Sequence, residues 1–232
     1  MPRKTTVGSS RERARAISGQ RLDLPRIVET ATLIADRDGL AKLSMRRLGQ
    51  ELGVDPMSVY NHVRDKQELT AAMVDAVVAA IEPLPSSGGW SLELRSLILA
   101  ARGRMLLHPW AARVIDDGGG PTPATLEHID RVLGILHRGG FSIELAHHTL
   151  HVLGSRVLGF SQDLFDDSVD DDVPAELLER QYSAWETTHP YVAELARAAT
   201  HDGALGGCDD DAEFLFALDL MLEGLERRRA AA

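Results

Sequence analysis

The feature that most constrains the fold is a close succession of helix boundary signals in residues 44–66. Ser44 is a residue type that caps helix N-termini, and Gly53 is the type that ends helices in a left-handed conformation. Asp55 and Pro56 follow as a second N-cap and a first helical residue, since the missing N–H of proline costs nothing there. We therefore predict two short helices joined by a tight turn at Gly53.

The segment PMSVYNHVRDK, residues 56–66, forms the second short helix and leads into a longer one, for which Asp65 and Glu68 predict a capping box. Val59 and Val63 lie four residues apart, so we expect them to pack on the preceding helix and fix the segment on its support. The opposite face then carries polar side chains. A helix, a turn and a short helix make up the helix-turn-helix arrangement, whose second helix enters the DNA major groove. The predicted DNA contacts are Ser44, Arg46, Arg47, Met57, Ser58, Tyr60, Asn61, His62 and Lys66.

Helical periodicity continues through the rest of the chain, without a convincing stretch of the apolar and polar alternation that indicates strands. We therefore predict an all-α fold. The segment EPLPSSGGW, rich in Pro, Ser and Gly, separates a small first module from a larger second one. Besides the two short helices, the predicted helices cover residues 24–38, 66–81, 91–107, 123–137, 143–165, 174–186 with shorter pieces to 197, and 210–228.

Charge is divided unevenly between these two modules. Residues 1–66 contain 13 Lys+Arg against 8 Asp+Glu, although the whole chain has a formal net charge of −10. This distribution is expected when only the first module meets a polyanion. Arg11, Arg13 and Arg15 belong to a predicted flexible basic arm, which could add minor-groove or nonspecific contacts to DNA.

The sequence argues against a membrane or secreted protein. Its longest apolar runs fall well short of the roughly 20 residues that span a bilayer, and the basic N-terminus is not followed by the apolar core of a secretory signal. We expect a cytoplasmic protein. Cys208 is the single cysteine, which excludes an intrachain disulfide and a cysteine-only metal site.

Residues 24–81 resemble the DNA-binding domain of the TetR family, the tetracycline-repressor-like transcriptional regulators. The run LGVDPMSVYNHVRDKQEL is similar to the family pattern G-V-x-x-x-[ST]-[LV]-Y-x-H-[VF]-x-[ND]-K-x-x-L. The resemblance implies that Ser58, Tyr60, His62 and Lys66 contact DNA, with Tyr60 and Lys66 on phosphates.

Residues 139–160 and 213–228 resemble the dimer-forming helices of the tetracycline-repressor-type C-terminal domain. The resemblance implies a homodimeric repressor that binds a palindromic operator and is released by a small-molecule effector. The apolar stripe of 213–228 taken alone is equally compatible with a core helix of one chain. The predicted interface residues are Leu153, Val157, Phe214, Leu218, Met221, Leu222 and Leu225. The predicted organisation is a flexible arm over 1–22, a helix-turn-helix domain over 23–82, and a ligand-binding and dimerisation domain over 90–232.

The second module contains histidines and large side chains that are candidates for an effector pocket, with core packing as the alternative for each. These candidates are Met105, His108, Trp110, Leu136, His147, His151 and Trp185. His147 and His151 share a helical face and, together with His148, leave a histidine-dependent metalloenzyme as one alternative. A DNA-binding dimer without an effector is another. Because the histidines are accompanied by no HExxH motif and no cysteine pair, we expect no metal, no cofactor and no catalytic residue.

Overall fold

The computed structural model describes residues 22–85, 88–117, 120–157, 175–198, 200–201, 204–205 and 210–231. These residues form eleven α-helices, one 3-10 turn and a pair of two-residue strands. The predicted all-α class is confirmed. The predicted basic arm lies outside the described residues except for Leu22, and so does Cys208.

The helices of the described residues are numbered in chain order. In the first part they are α1 (Leu24–Asp38), α2 (Met45–Leu52), α3 (Pro56–Tyr60) and α4 (Lys66–Ala79), with the 3-10 turn Leu40–Lys42 between α1 and α2. They continue as α5 (Trp90–Leu107), α6 (Pro109–Asp116), α7 (Pro123–Arg138), α8 (Ile143–Val157), α9 (Ala175–Thr188), α10 (Pro190–Ala198) and α11 (Asp210–Ala230). Before α11, strand β1 (Thr200–His201) pairs antiparallel with β2 (Ala204–Leu205).

Contacts along the chain group it into two compact units, Met1–Leu158 and Gly159–Ala232. The first unit contains α1 to α8, because α4 packs against α6 and α7 as well as against α1. The second unit contains α9 to α11. The division by function at residues 82–90 stays a prediction, since contacts alone do not separate the first four helices from the next four.

The helix boundaries around the tight turn have the predicted chemistry. The Ser44 hydroxyl accepts a hydrogen bond from Arg47 N at 3.2 Å, and the Asp55 carboxylate accepts one from Met57 N at 2.8 Å. Between them Gly53 ends α2 in the left-handed conformation, with φ of 70°. Both caps therefore fix where α2 and α3 begin, and the glycine turns the chain between them.

A shared apolar core holds α1 to α4 together. The inward side chains are Ile27, Ala31 and Ile34 of α1, Leu48 of α2, Val59 of α3, and Leu69 and Met73 of α4, each at most 1% exposed. Burying one such large aliphatic side chain contributes about 1.5–3 kcal/mol, so this core outweighs the weak intrinsic stability of helices as short as α2 and α3.

Polar contacts fasten α4 to the helices that follow it. Asp75 in the middle of α4 accepts a hydrogen bond from Ala124 N in the first turn of α7, at 2.8 Å. At the end of α4, the carbonyl oxygen of Ala80 accepts from Arg104 Nε of α5 at 2.9 Å. The helix that follows the predicted recognition helix is therefore bonded to both α5 and α7.

The beginning of α5 is held by the turn between α7 and α8. The rings of Trp90 and Phe141 meet edge to face with centroids 4.6 Å apart. Next to them, Arg138 Nη2 donates to Glu93 Oε2 at 3.0 Å. These contacts fix α5 at the end opposite to α6.

Two local predictions need correction. Residues 109–116 were not assigned to a helix, but Pro109 stands at the first position of α6, where its ring fits. The predicted capping box of α4 is incomplete: Asp65 accepts from Glu68 N as expected, but the Glu68 carboxylate accepts from Arg64 N, one residue too early. That bond lowers the pKa of Glu68. The predicted extension of α8 to residue 165 lies outside the described residues beyond Val157.

The turn between α2 and α3 depends on a close backbone approach at Gly49. A Cβ at this position would lie 3.0 Å from Val54 O and 3.2 Å from the Cα of Pro56. Because these are backbone atoms of a hydrogen-bonded turn, we expect Gly49→Ala to lower the free energy of unfolding by about 1–3 kcal/mol.

Urea denaturation measures this effect. The matched control is Gly103→Ala in α5, where a Cβ would meet nothing within 4 Å; there the better helix propensity of alanine should add about 0.5–1 kcal/mol. Equal stabilisation by both substitutions would contradict the close approach.

Candidate nucleic-acid interface

Helix α3 has one buried face and one exposed face. Val59 is fully buried and Val63, just after the helix, is 2% exposed, as their spacing predicted. On the other side Met57 is 67% exposed and Tyr60 44% exposed. Asn61 and His62 are also exposed, and Ser58 is half-buried. The structure thus brings the predicted contacts of this segment onto one accessible surface.

Other predicted DNA contacts lie at the beginnings of α2 and α4. Ser44 and Arg46 are exposed at the start of α2. Lys66 is the first residue of α4, and its Nζ donates to Leu40 O at 3.3 Å. The N-terminus of a helix carries a partial positive charge, so the ammonium group and the helix end favour an anion at the same place.

Arg47 differs from the other predicted contacts because it is paired within the chain. Its guanidinium lies 2.5 Å from Asp38 Oδ2 at the end of α1. Arg37 binds the same carboxylate oxygen at 2.8 Å and reaches Glu51 of α2, also at 2.8 Å. The hydrogen bond from Arg37 lowers the pKa of Asp38, and the charge of Arg47 acts in the same direction.

Two residues before Asp38 in α1, Asp36 binds two residues that were predicted to line a pocket. Its Oδ1 accepts a hydrogen bond from Trp110 Nε1 at 2.6 Å and lies 2.9 Å from His108 Nδ1. Asp36, Arg37 and Asp38 were not among the predicted site residues. Their only signal is the run DRD at the end of α1, which does not reveal partners up to 74 residues away.

The other predicted pocket residues belong to several helices of the two units. Met105 and Leu136 are buried in the core of the first unit. His147 and His151 are exposed on α8, with ring centroids 4.6 Å apart. Trp185 belongs to α9 in the second unit. An effector pocket built from these residues stays a prediction.

The described residues include neither a candidate metal-binding group nor a candidate membrane-spanning helix. They contain no group of three or more His, Cys, Asp or Glu side chains arranged to hold a metal ion. None of their helices is both long enough and apolar enough to cross a membrane.

The predicted dimer residues differ in how far one chain already buries them. Leu153 of α8 is 3% exposed, and Leu218 and Leu222 of α11 are 0% and 5% exposed. A role of these three side chains in a dimer interface stays a prediction. The exposed apolar residues of α11 are instead Phe216 at 63% and Leu220 at 54%. Of the other predicted residues, Phe214, Met221 and Leu225 are half-buried, and the side chain of Val157 lies outside the described part.

The sequence matches a known protein family over most of its length. The family described as "Tetracyclin repressor-like, C-terminal domain" matches residues 82–229, which is more than half of the chain. The chain belongs to the TetR family. The tetracycline repressor protein class E of Escherichia coli is 33% identical over 143 residues, covering 60% of this TetR-family chain and 67% of the relative. The matches span only 46% and 50% of the length of two other curated relatives.

Solved structures of TetR-family proteins resemble this chain over most of its length. ActR of Streptomyces coelicolor in complex with actinorhodin has a TM-score of 0.69 and 27% identity, covering 90% of this chain and 99% of ActR. BioQ with its natural double-stranded DNA operator has a TM-score of 0.53 and 26% identity, covering 60% of this chain and 87% of BioQ. The TetR-family fold is thus known both with a small molecule and with DNA.

Proposed function

We propose that this protein is a transcriptional repressor that binds operator DNA with α3 in the major groove. The observation that carries the proposal is the division of α3 into a buried face at Val59 and an exposed face at Met57 and Tyr60. A short helix whose buried face is held by the core can enter the major groove without rearranging. The similarity to operator-bound BioQ and to curated tetracycline repressors supports a regulatory rather than a catalytic function.

The exposed groups divide into two kinds of contact. Asn61 and His62 offer amide and imidazole groups that can hydrogen-bond to base edges, and Met57 offers an apolar surface for a thymine methyl group. We propose that Tyr60 and Lys66 bind phosphate oxygens, which position the protein without reading sequence. We expect affinity to depend mainly on the second kind, and base preference on the first.

The substitution Lys66→Ala tests the phosphate contacts. It should weaken binding to every duplex in a panel of unrelated sequences, because a phosphate contact is independent of sequence. It should also reduce the slope of log K against log salt concentration by about one, since one fewer counterion is released. Fluorescence anisotropy titrations at several salt concentrations measure both quantities.

The control for Lys66→Ala is Arg113→Ala, which removes the same charge from an exposed position on α6. This variant should retain the parental slope. A change of base preference in Lys66→Ala, with an unchanged slope, would show that Lys66 reads bases rather than phosphates.

We further propose that the repressor is a homodimer on a palindromic operator. One short helix reads few base pairs, and twofold symmetry would place two such helices about 34–36 Å apart, in successive major grooves. Phe216 and Leu220 lie four residues apart and expose one apolar row of α11. A second copy of the same helix could cover this row, as the resemblance of residues 213–228 to dimer-forming helices implies.

The double substitution Phe216→Glu with Leu220→Glu tests the dimer. Burying two carboxylates in an apolar interface should weaken self-association by about 10-fold or more, which sedimentation velocity at several concentrations detects. The control is Leu126→Glu on α7, a residue that is 53% exposed. A doubly substituted protein that remains dimeric at the parental concentration would exclude this face as the interface.

A small-molecule effector completes the proposed function. The match to actinorhodin-bound ActR and to tetracycline repressors supports such a ligand. We propose that it binds in the domain over 90–232 and favours an arrangement in which the domain over 23–82 fits the operator less well. The extent of release is then limited by the ratio of its affinities for the two arrangements.

A further inference from the structure

One carboxylate of α1 holds the junction between α5 and α6. Asp36 Oδ1 accepts from the indole nitrogen of Trp110 at 2.6 Å, and Oδ1 and Oδ2 lie 2.9 and 3.1 Å from His108 Nδ1. The Trp110 side chain is buried at 6% exposure. Hydrogen bonds to an ionised acceptor are stronger than neutral ones, and more so where water is partly excluded.

His108 is the residue at which the chain changes direction. It ends α5 and precedes Pro109, the first residue of α6. Its side chain makes no hydrogen bond that caps α6, because Nδ1 is directed to Asp36. A movement of this junction must therefore stretch or break the contacts with α1.

The next two residues of α1 contact α2, which belongs to the proposed DNA-binding surface. Arg37 binds Glu51 of α2, and Asp38 binds Arg47 in the first turn of α2 at 2.5 Å. The last turn of α1 therefore contacts the α5–α6 junction on one side and both ends of α2 on the other. The helix backbone between Asp36 and Asp38 is rigid enough to carry a displacement across this distance.

We propose that Asp36, Arg37 and Asp38 are positioning residues that couple the α5–α6 junction to the placement of α2 and so to operator affinity. This inference rests on the proposed DNA-binding function. When the junction moves, Asp36 follows it, and the hold of Asp38 on Arg47 changes. Arg47 then meets its phosphate in one position of the junction and is drawn towards α1 in another.

The first test is a double-mutant cycle in DNA affinity, on the duplex that the wild-type chain binds most tightly. Trp110→Phe removes the indole donor but keeps an aromatic ring in the buried site. We expect it to weaken binding about 2- to 10-fold and to reduce the salt slope by up to about one, since Arg47 then meets its phosphate less often. The fold loss of affinity in the double variant with Arg47→Ala should fall clearly below the product of the fold losses in the two single variants.

Trp90→Phe is the matched control for this cycle, because Trp90 packs on Phe141 at the other end of α5. Any fold loss of DNA affinity that Trp90→Phe causes should multiply with the fold loss caused by Arg47→Ala. Independent effects of Trp110→Phe and Arg47→Ala, in a protein that binds DNA, would overturn the coupling and leave the DNA-binding function intact.

The second test does not need DNA. Amide hydrogen exchange should become faster in α2 in both Trp110→Phe and Asp36→Asn, while α8 and the Trp90→Phe control keep the parental rates. Unchanged exchange in α2, or an equal acceleration in α8, would show that the Asp36 contacts only stabilise the fold. If the wild-type chain binds no DNA, the proposed function fails, and the exchange rates still decide whether the junction and α2 are linked.

Discussion

The burial of Val59 decides what the first module can do. Because this side chain is fully enclosed, α3 cannot rotate, and the polar residues on its opposite side remain in solvent. The enclosure depends in turn on the close turn at Gly49 and Gly53, which brings α3 back onto α2. A helix of five residues would not be stable alone, so its support in the core makes it usable for recognition.

The same core also explains how a displacement in the later helices can reach the proposed DNA-binding surface. Helix α4 begins at Lys66, beside the recognition segment, and is bonded to α7 through Asp75 and to α5 through Arg104. Helix α1 has a second set of bonds, to the α5–α6 junction through Asp36. Two helices of the helix-turn-helix module are thus tied to the helices that follow it, and a packed interior transmits small displacements because it does not compress.

Much of the first module could be predicted from sequence because its signals are local. Ser44, Gly53 and Pro56 act on residues within one turn of themselves, so their roles follow from residue type and spacing alone. Pro109 shows the limit of such signals, since a proline can open a helix or interrupt one. The ring of contacts around Asp36 could not be predicted, because its partners lie 72 and 74 residues further along the chain.

The proposed dimer face shows a second limit of prediction from sequence. Helix α11 carries apolar residues on more than one side, so its sequence offers both the stripe of Leu218 and Leu222 and the row of Phe216 and Leu220. Periodicity identifies such stripes but does not say which of them is buried within the chain. Only the packing of the folded chain shows that the first stripe is occupied and the second exposed.

We propose that α3 reads duplex DNA as one half of a twofold pair. Selection of bound sequences from a random duplex pool by the purified chain is the decisive measurement. We expect recovery of a palindrome with half-sites about one helical turn apart. A folded chain that enriches no sequence, or one that enriches a single unrepeated site, would contradict it.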